Sequence, residues 1–204
     1  MSNAYNEFSG QSLDRVQTLG DGVFAVAMTL LVLDLGLPRH HADDSHALWS
    51  QLSHLGPSLA AYLLSFTMLA TFWLALHTVL ALCRRSDRML AWAVLGFLFF
   101  VTTLPFSASV LADHVHVPLA VVLYWLNLAA LGATLAWVVA HARDGLVEPQ
   151  RMPALGLVRR RLVLAQSLYA VAALLTFVSP VLAIVALACV QLFFIVSPRL
   201  PFRV

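Results

Sequence analysis

The chain has 204 residues, of which 61% are hydrophobic and only 11% are charged. A soluble domain of this length cannot bury so much apolar surface, so lipid must be part of the solvent of this protein. The formal net charge of +2 is small, and its distribution along the chain is more informative than the total. Composition therefore excludes a soluble globular domain and predicts a membrane protein.

Six hydrophobic segments have the length that a helix needs to cross the bilayer, which is about 20 residues. The polar first fifteen residues lack the pattern of a cleavable signal, so the first segment is expected to stay in the mature protein. Ser179 and Pro180 leave almost no loop between the last two segments, which predicts a tight helical hairpin. We predict an all-α membrane protein with one six-helix domain over residues 1–204, spanning at 16–37, 57–82, 89–111, 117–140, 162–178 and 180–197.

The arginines flank alternate loops, and there is no lysine in the chain. Positively charged loops remain in the cytoplasm, so this pattern predicts that both termini are cytoplasmic. Only Arg39 is left for the outer side. The arginines assigned to the cytoplasmic side are Arg15, Arg84, Arg85, Arg88, Arg143, Arg151, Arg159, Arg160, Arg161, Arg199 and Arg203.

Histidines are concentrated in the two longer outer loops. His114 and His116 form a His-x-His pair, a spacing that metal sites use. Ordinary polar loop residues are the more common explanation, and no metal site is predicted. The other outer histidines are His40, His41, His46 and His54.

The first span carries a carboxylate inside the membrane. Asp21 follows Arg15 by six residues, which is about 9 Å along a helix. An ionisable group at that depth is costly and needs a partner. His77 lies at nearly the same depth on the antiparallel second span, and Trp73 is one helical turn away on the same face. We expect His77 to be the partner of Asp21 in a contact that fixes helix packing rather than moves ions.

Helical periodicity gives the first span two different faces. One face carries a ridge of Val26, Leu30 and Leu33, and the opposite face carries Asp21 and Phe24. If Asp21 is bound to the second helix, the ridge faces either lipid or a symmetry axis. Periodicity alone favours lipid.

The first span resembles the signature of the transmembrane protein 175 family of potassium channels, which occurs in bacteria and in endolysosomal membranes. The matching residues are Arg15, Leu19-Gly20-Asp21, then Gly-Val-Phe-Ala-Val over 22–26 and Thr-Leu-Leu-Val-Leu-Asp over 29–34. Trp73 and His77 resemble the second-helix residues that the family packs against this motif. Leu19, Gly20 and Val26 replace the Phe, Ser and Ile of the family, which implies a weaker hydrogen-bond network beside Asp21 and a slightly wider constriction.

This resemblance implies a homotetramer in a bacterial plasma membrane, with the first helix lining a central pore that is permeable to potassium. Val26, Leu30 and Leu33 would form an apolar constriction, and Asp34 an acidic outer mouth; an exposed terminal carboxylate is an equal alternative for Asp34. The chain has no Thr-Val-Gly-Tyr-Gly filter, so side chains must replace stacked carbonyls. The lipid bilayer and further copies of the chain are the expected partners, and no cofactor is implied.

Two other functions stay open. Asp21, His77 and the outer histidines are also compatible with a proton-coupled or metal-ion secondary transporter, although such proteins usually carry charges near the bilayer midplane within broken helices. A purely structural membrane protein is the second alternative. Enzymatic activity is not predicted, since no nucleophile, base and orienting group converge. Nucleic-acid binding is not predicted either, because topology explains the arginine clusters.

Overall fold

A computed structural model describes residues 13–35, 44, 46, 49 and 55–196. Arg39, His40, His41, His54, Arg199 and Arg203 lie outside the described residues. Within them the chain is nearly all helical, as the sequence predicts. The long helices are α1 (Leu13–Leu30), α2 (Gly56–Leu82), α3 (Arg88–Asp113), α4 (Pro118–Arg143), α5 (Met152–Leu174) and α6 (Pro180–Val196).

Among the described residues, five helical segments are long and apolar enough to cross a bilayer, and α6 is a shorter apolar helix. The fifth helix begins at Met152, ten residues before the start of the membrane span predicted at 162–178. The predicted span starts after the three arginines at 159–161 because these residues are charged. They are exposed on a helix that continues past them, since charge limits the part of a helix that lies in lipid and not the helix itself.

Prolines and a capping carboxylate define most of the helix starts. Proline occupies the first turn of α2, α4 and α5. A backbone N–H in the first turn has no acceptor within the helix, so proline, which lacks this N–H, costs no hydrogen bond there. Asp87 begins α3 by accepting a hydrogen bond from the backbone N–H of Leu90 at 2.7 Å. The predicted hairpin is present, since a short 3-10 turn ends at Phe177 and Pro180 starts α6.

The core lies where α3 and α4 pack against their neighbours, and α1 is attached to one side of it. Phe97 of α3 lies between two rings, with centroids 6.0 Å from Phe24 of α1 and 6.1 Å from Phe72 of α2. Such tilted aromatic pairs bury large apolar areas. They fix the angle at which α1 meets the bundle.

A buried glutamine links three helices away from α1. Gln191 of α6 accepts a hydrogen bond from the Tyr169 hydroxyl of α5 at 2.7 Å. Its amide nitrogen donates to the Thr67 carbonyl and to the Thr71 hydroxyl of α2, each at 2.7 Å. The sequence analysis did not single out this cluster. A polar group buried in an apolar bundle needs such partners, so we refer to Gln191, Tyr169, Thr67 and Thr71 as the glutamine cluster.

Candidate functional site

The two faces of α1 differ sharply in exposure, as periodicity predicts. Val26, Leu30 and Leu33 are 58%, 44% and 71% exposed in the isolated subunit, whereas Phe24 is 2% exposed. Ala27 is buried with Phe24 against the bundle. The structure therefore leaves the apolar ridge of Val26, Leu30 and Leu33 uncovered within one subunit.

The ridge changes its winding at Leu30. The segment Leu31–Asp34 forms a 3-10 helix, and the Leu35 N–H donates to the Val32 carbonyl at 3.1 Å. In a 3-10 helix, residues three apart are eclipsed. Leu33 therefore lies nearly above Leu30 on one line, instead of drifting around the helix.

A concave groove runs along this side of α1. Its volume is about 740 Å³, and it is lined by α1 residues from Asp14 to Leu30 and by Thr102 of α3. Arg15 and Leu19 lie at one end, and Val26 and Leu30 lie toward the other. The groove is thus polar at its first turn and apolar beyond it.

Asp21 is held by the indole of the second helix. The Trp73 Nε1–H donates to Asp21 Oδ1 at 2.7 Å. His77 is one turn further along α2, and its ring centroid is 5.5 Å from that of Trp73. The expectation that His77 is the partner of Asp21 is wrong, because Trp73, one turn earlier on α2, lies opposite the carboxylate.

His77 is paired instead with Gln17, which the sequence analysis missed. The Gln17 amide nitrogen lies 2.8 Å from His77 Nδ1. Gln17 precedes Asp21 by four residues, and Trp73 precedes His77 by four, so two antiparallel helices bring both pairs together in one register. This matched four-residue spacing was the signal in the sequence that could have predicted the two pairs. We refer to Gln17, Asp21, Trp73 and His77 as the α1–α2 clasp.

Arg15 does not belong to the clasp. It is exposed, lines the groove, and forms no hydrogen bond or ion pair with the residues that the structure describes. Six residues separate it from Asp21, which turns its side chain about 240° around the helix. The six-residue spacing that predicts the depth of Asp21 in the membrane therefore also puts Arg15 on a different face of α1.

Two of the three positions that depart from the signature, Leu19 and Gly20, lie in different environments. Leu19 is exposed and lines the groove. Gly20 is buried, and a Cβ placed there would lie 3.6 Å from Leu76 Cδ2, which is ordinary contact. A serine therefore has room at this position, and its hydroxyl would start out beside Leu76.

The turn after α1 and the end of α3 supply little further chemistry within the described residues. Asp34 ends the 3-10 segment, and His114 approaches the Val110 carbonyl of its own helix at 3.2 Å. The described residues contain no group of three or more histidine, cysteine, aspartate or glutamate side chains that could hold a metal ion.

Comparison with known proteins identifies the α1 motif. A family profile described as endosomal/lysosomal potassium channel TMEM175 matches residues 15–105. A potassium channel of Streptomyces collinus is 33% identical over 187 residues, covering 88% of this chain and 90% of that relative. The chain belongs to the TMEM175 family.

Other members of the TMEM175 family agree in sequence and in fold. A potassium channel of Chamaesiphon minutus is 36% identical over 104 residues, which is 51% of each chain. The crystal structure of a lysosomal potassium-selective channel TMEM175 homolog from the same organism aligns with a TM-score of 0.78 and 28% identity, covering 90% of this chain and 96% of that one. The resemblance seen in the first span is confirmed, and so is the prediction of a membrane channel rather than an enzyme.

Proposed function

We propose that this chain forms a homotetrameric, potassium-permeable cation channel in which α1 of each subunit lines a central pore. One observation carries the proposal. The apolar ridge of Val26, Leu30 and Leu33 is uncovered on the same helix whose opposite side is held to α2 and α3. Four copies around a closed rotation axis would bring four such ridges together.

The clasp and the aromatic contacts support this orientation. Trp73 holds Asp21 on one side of α1, and Phe97 packs against Phe24. These contacts limit the rotation of α1 about its own axis. The ridge then keeps a constant direction, which a pore-lining helix requires.

The constriction would select ions by the cost of dehydration. Rings of Leu30 and Leu33 offer no oxygen ligands, so a narrow apolar passage excludes water and penalises ions that hold their hydration shell tightly. Potassium gives up its water more readily than sodium does. Because Leu33 lies above Leu30, the two rings would form one continuous apolar collar.

The two ends of the pore would differ in charge. Asp34 follows Leu33 directly, and four copies would concentrate cations at the outer mouth. The arginine-rich loops would lie on the cytoplasmic side of a bacterial plasma membrane together with both termini. This orientation rests on the arginine distribution along the sequence.

The decisive experiment compares two leucine-to-asparagine variants in liposomes. Leu30→Asn places a polar group in the proposed collar, whereas Leu74→Asn places the same group on an exposed position of α2, away from the groove. Potassium and sodium currents are measured for the purified wild-type protein and for both variants. We expect Leu30→Asn to raise conductance severalfold by wetting the constriction, and Leu74→Asn to leave it unchanged.

Two results would contradict the proposal. Equal currents in wild-type protein and in folded Leu30→Asn would remove Leu30 from the pore. Cation flux that occurs only with an opposing proton gradient would instead favour a proton-coupled secondary transporter. The number of subunits, measured by mass photometry of the same preparation, tests the tetramer separately.

A further inference from the structure

Two loops at one end of the bundle are joined into a small framework. Residues 83–87 connect α2 to α3, and residues 144–151, which include the 3-10 turn Pro149–Arg151, connect α4 to α5. Cys83 and Val147 form an antiparallel β-bridge, and the Arg84 N–H donates to the Leu146 carbonyl at 2.9 Å. This pairing fixes the relative position of two connections that are distant in sequence.

Side-chain contacts hold the framework on both sides. His141 Nε2 lies 2.9 Å from each carboxylate oxygen of Asp87. Burial disfavours the charge on Asp87, but the Leu90 N–H and the His141 contact outweigh it and hold the pKa of Asp87 below its ordinary value. Glu148 pairs with Arg84 at 3.1 Å and with Arg151 at 3.7 Å.

A cavity of about 400 Å³ opens on this framework and is lined by Arg84, Arg85 and Gly145. That volume lies at the lower end of the range of small-ligand sites. Gly145 has a φ of 106°, a conformation that strongly favours glycine, and a Cβ added there would meet nothing within 4 Å. The turn therefore keeps one wall of the cavity free of side chains.

Arg85 is the unusual member of the cavity wall. Arg84 uses its Nε toward Glu148, whereas Arg85 is exposed and has no ion pair or hydrogen bond with the residues that the structure describes. A guanidinium carries five N–H donors. The N–H donors and the positive charge of Arg85 therefore have no acceptor among the described residues, and they line the cavity.

The surroundings place this cavity at the level of lipid headgroups. The apolar helix α2 ends at Leu82, immediately before the framework. Trp92 of α3 and Trp137 of α4 are both exposed one to two turns from it, and exposed tryptophans are typical of the membrane–water interface. Basic pockets between transmembrane helices at that level bind anionic lipid headgroups.

We propose that the cavity of Arg84, Arg85 and Gly145 is a binding site for a phosphate group, supplied by the headgroup of an anionic phospholipid. Arginine matches phosphate geometry with paired N–H donors. A phosphate held by these arginines of the α2–α3 loop would lie against the turn at Gly145 in the α4–α5 loop. It would thereby hold the start of α3, the helix against which α1 packs.

Binding is tested on the purified full-length protein in detergent, without any measurement of current. Phosphatidylglycerol and phosphatidylcholine are added in parallel, and bound lipid is counted by native mass spectrometry while the melting temperature is recorded. We expect phosphatidylglycerol alone to raise the melting temperature by roughly 2–4 °C. Arg85→Gln should weaken this binding about tenfold, while Arg85→Lys, which keeps the charge, should weaken it less.

Arg160→Gln is the matched control, because Arg160 is exposed on α5 and does not line the cavity. An equal loss in Arg85→Gln and Arg160→Gln would show diffuse charge attraction and overturn the proposal, as would the absence of any phosphatidylglycerol effect. A similar stabilisation by glycerol phosphate or inorganic phosphate would keep the phosphate site but overturn the lipid source. Failure of this test would leave the proposed channel function unaffected, because the two use different residues and readouts.

Discussion

Two polar clusters hold helices together in this protein, and they lie in very different surroundings. The glutamine cluster is buried where α2, α5 and α6 meet, with Gln191, Tyr169 and Thr71 satisfying one another. The α1–α2 clasp lies at the edge of the subunit, where Asp21 and His77 remain exposed. The first cluster is complete within one chain, and the second still has polar atoms facing outward.

This contrast separates the part of the fold that stabilises a subunit from the part that orients a helix. A satisfied buried network is costly to disturb, since loss of one partner leaves the others unpaired in an apolar medium. An exposed contact contributes less to stability but can still fix which face of a helix points outward. Mutations in the two clusters should therefore have different effects.

The largest effect is expected from Gln191→Leu. This change removes three hydrogen bonds and leaves the buried Tyr169 hydroxyl without its partner, whereas the Thr71 hydroxyl keeps its bond to the Thr67 carbonyl. The free energy of unfolding should fall by about 2 kcal/mol, measured by denaturant titration of the purified protein. Cys189→Leu, at an exposed position of the same helix, should have little effect. Equal stability of the two variants would contradict the role assigned to the glutamine cluster.

A smaller effect on stability, but a larger one on assembly, is expected from Trp73→Phe. The ring remains while the N–H that binds Asp21 is lost, at a cost of about 1 kcal/mol. Because the clasp orients α1, the proportion of the proposed tetramer should fall before the subunit unfolds, as judged by mass photometry across a detergent series. Trp92→Phe, at an exposed position of α3, is the control. Unchanged assembly in Trp73→Phe would separate the clasp from helix orientation.

The smallest effect is expected at the start of α3, where acidification alone can weaken the contact between Asp87 and His141. The pKa of Asp87 is lowered in the folded protein, so its charge stabilises the fold above the ordinary aspartate pKa of about 4 and loses this effect as pH falls through the lowered value. Asp87→Asn keeps a good helix cap but not the charge. The variant should be less stable by roughly 0.5 kcal/mol at pH 7.

Melting temperatures of both proteins between pH 5 and pH 3, below the range in which ordinary histidines titrate, measure this contribution. The difference between wild type and Asp87→Asn should shrink toward the acidic end, because the other carboxyl groups titrate in both proteins and cancel. A difference that grows on acidification would reverse the assigned sign.

Sequence periodicity was sufficient for the helices and for the two faces of α1. The ridge of Val26, Leu30 and Leu33 repeats at helical spacing, so its common exposure follows from geometry alone. The start of α5 at Met152 could not be read in this way, because arginines at 159–161 end an apolar run without ending a helix. An inexact depth estimate explains the wrong partner for Asp21, since His77 lies one helical turn away, opposite Gln17.

Other features needed three-dimensional contacts, although some left a trace in the sequence. Gln191 is a polar residue within an apolar span, which should have marked it as a residue in need of partners. The cavity beside Arg85 had no comparable signal, because it depends on the pairing of two loops far apart in the chain. Local patterns cannot supply that long-range contact.

The short 3-10 segment after Leu30 has a geometric consequence for the C-terminal end of the first membrane segment. Residues 30 and 33 are separated by about 360° in 3-10 winding and by about 300° in α winding. Rewinding Leu31–Asp34 into an α-helix would turn Leu33 about 60° away from Leu30 and shorten the segment by about 2 Å. A local twist of four residues could thus move one leucine ring sideways while the clasp and the remainder of the helix stay in place.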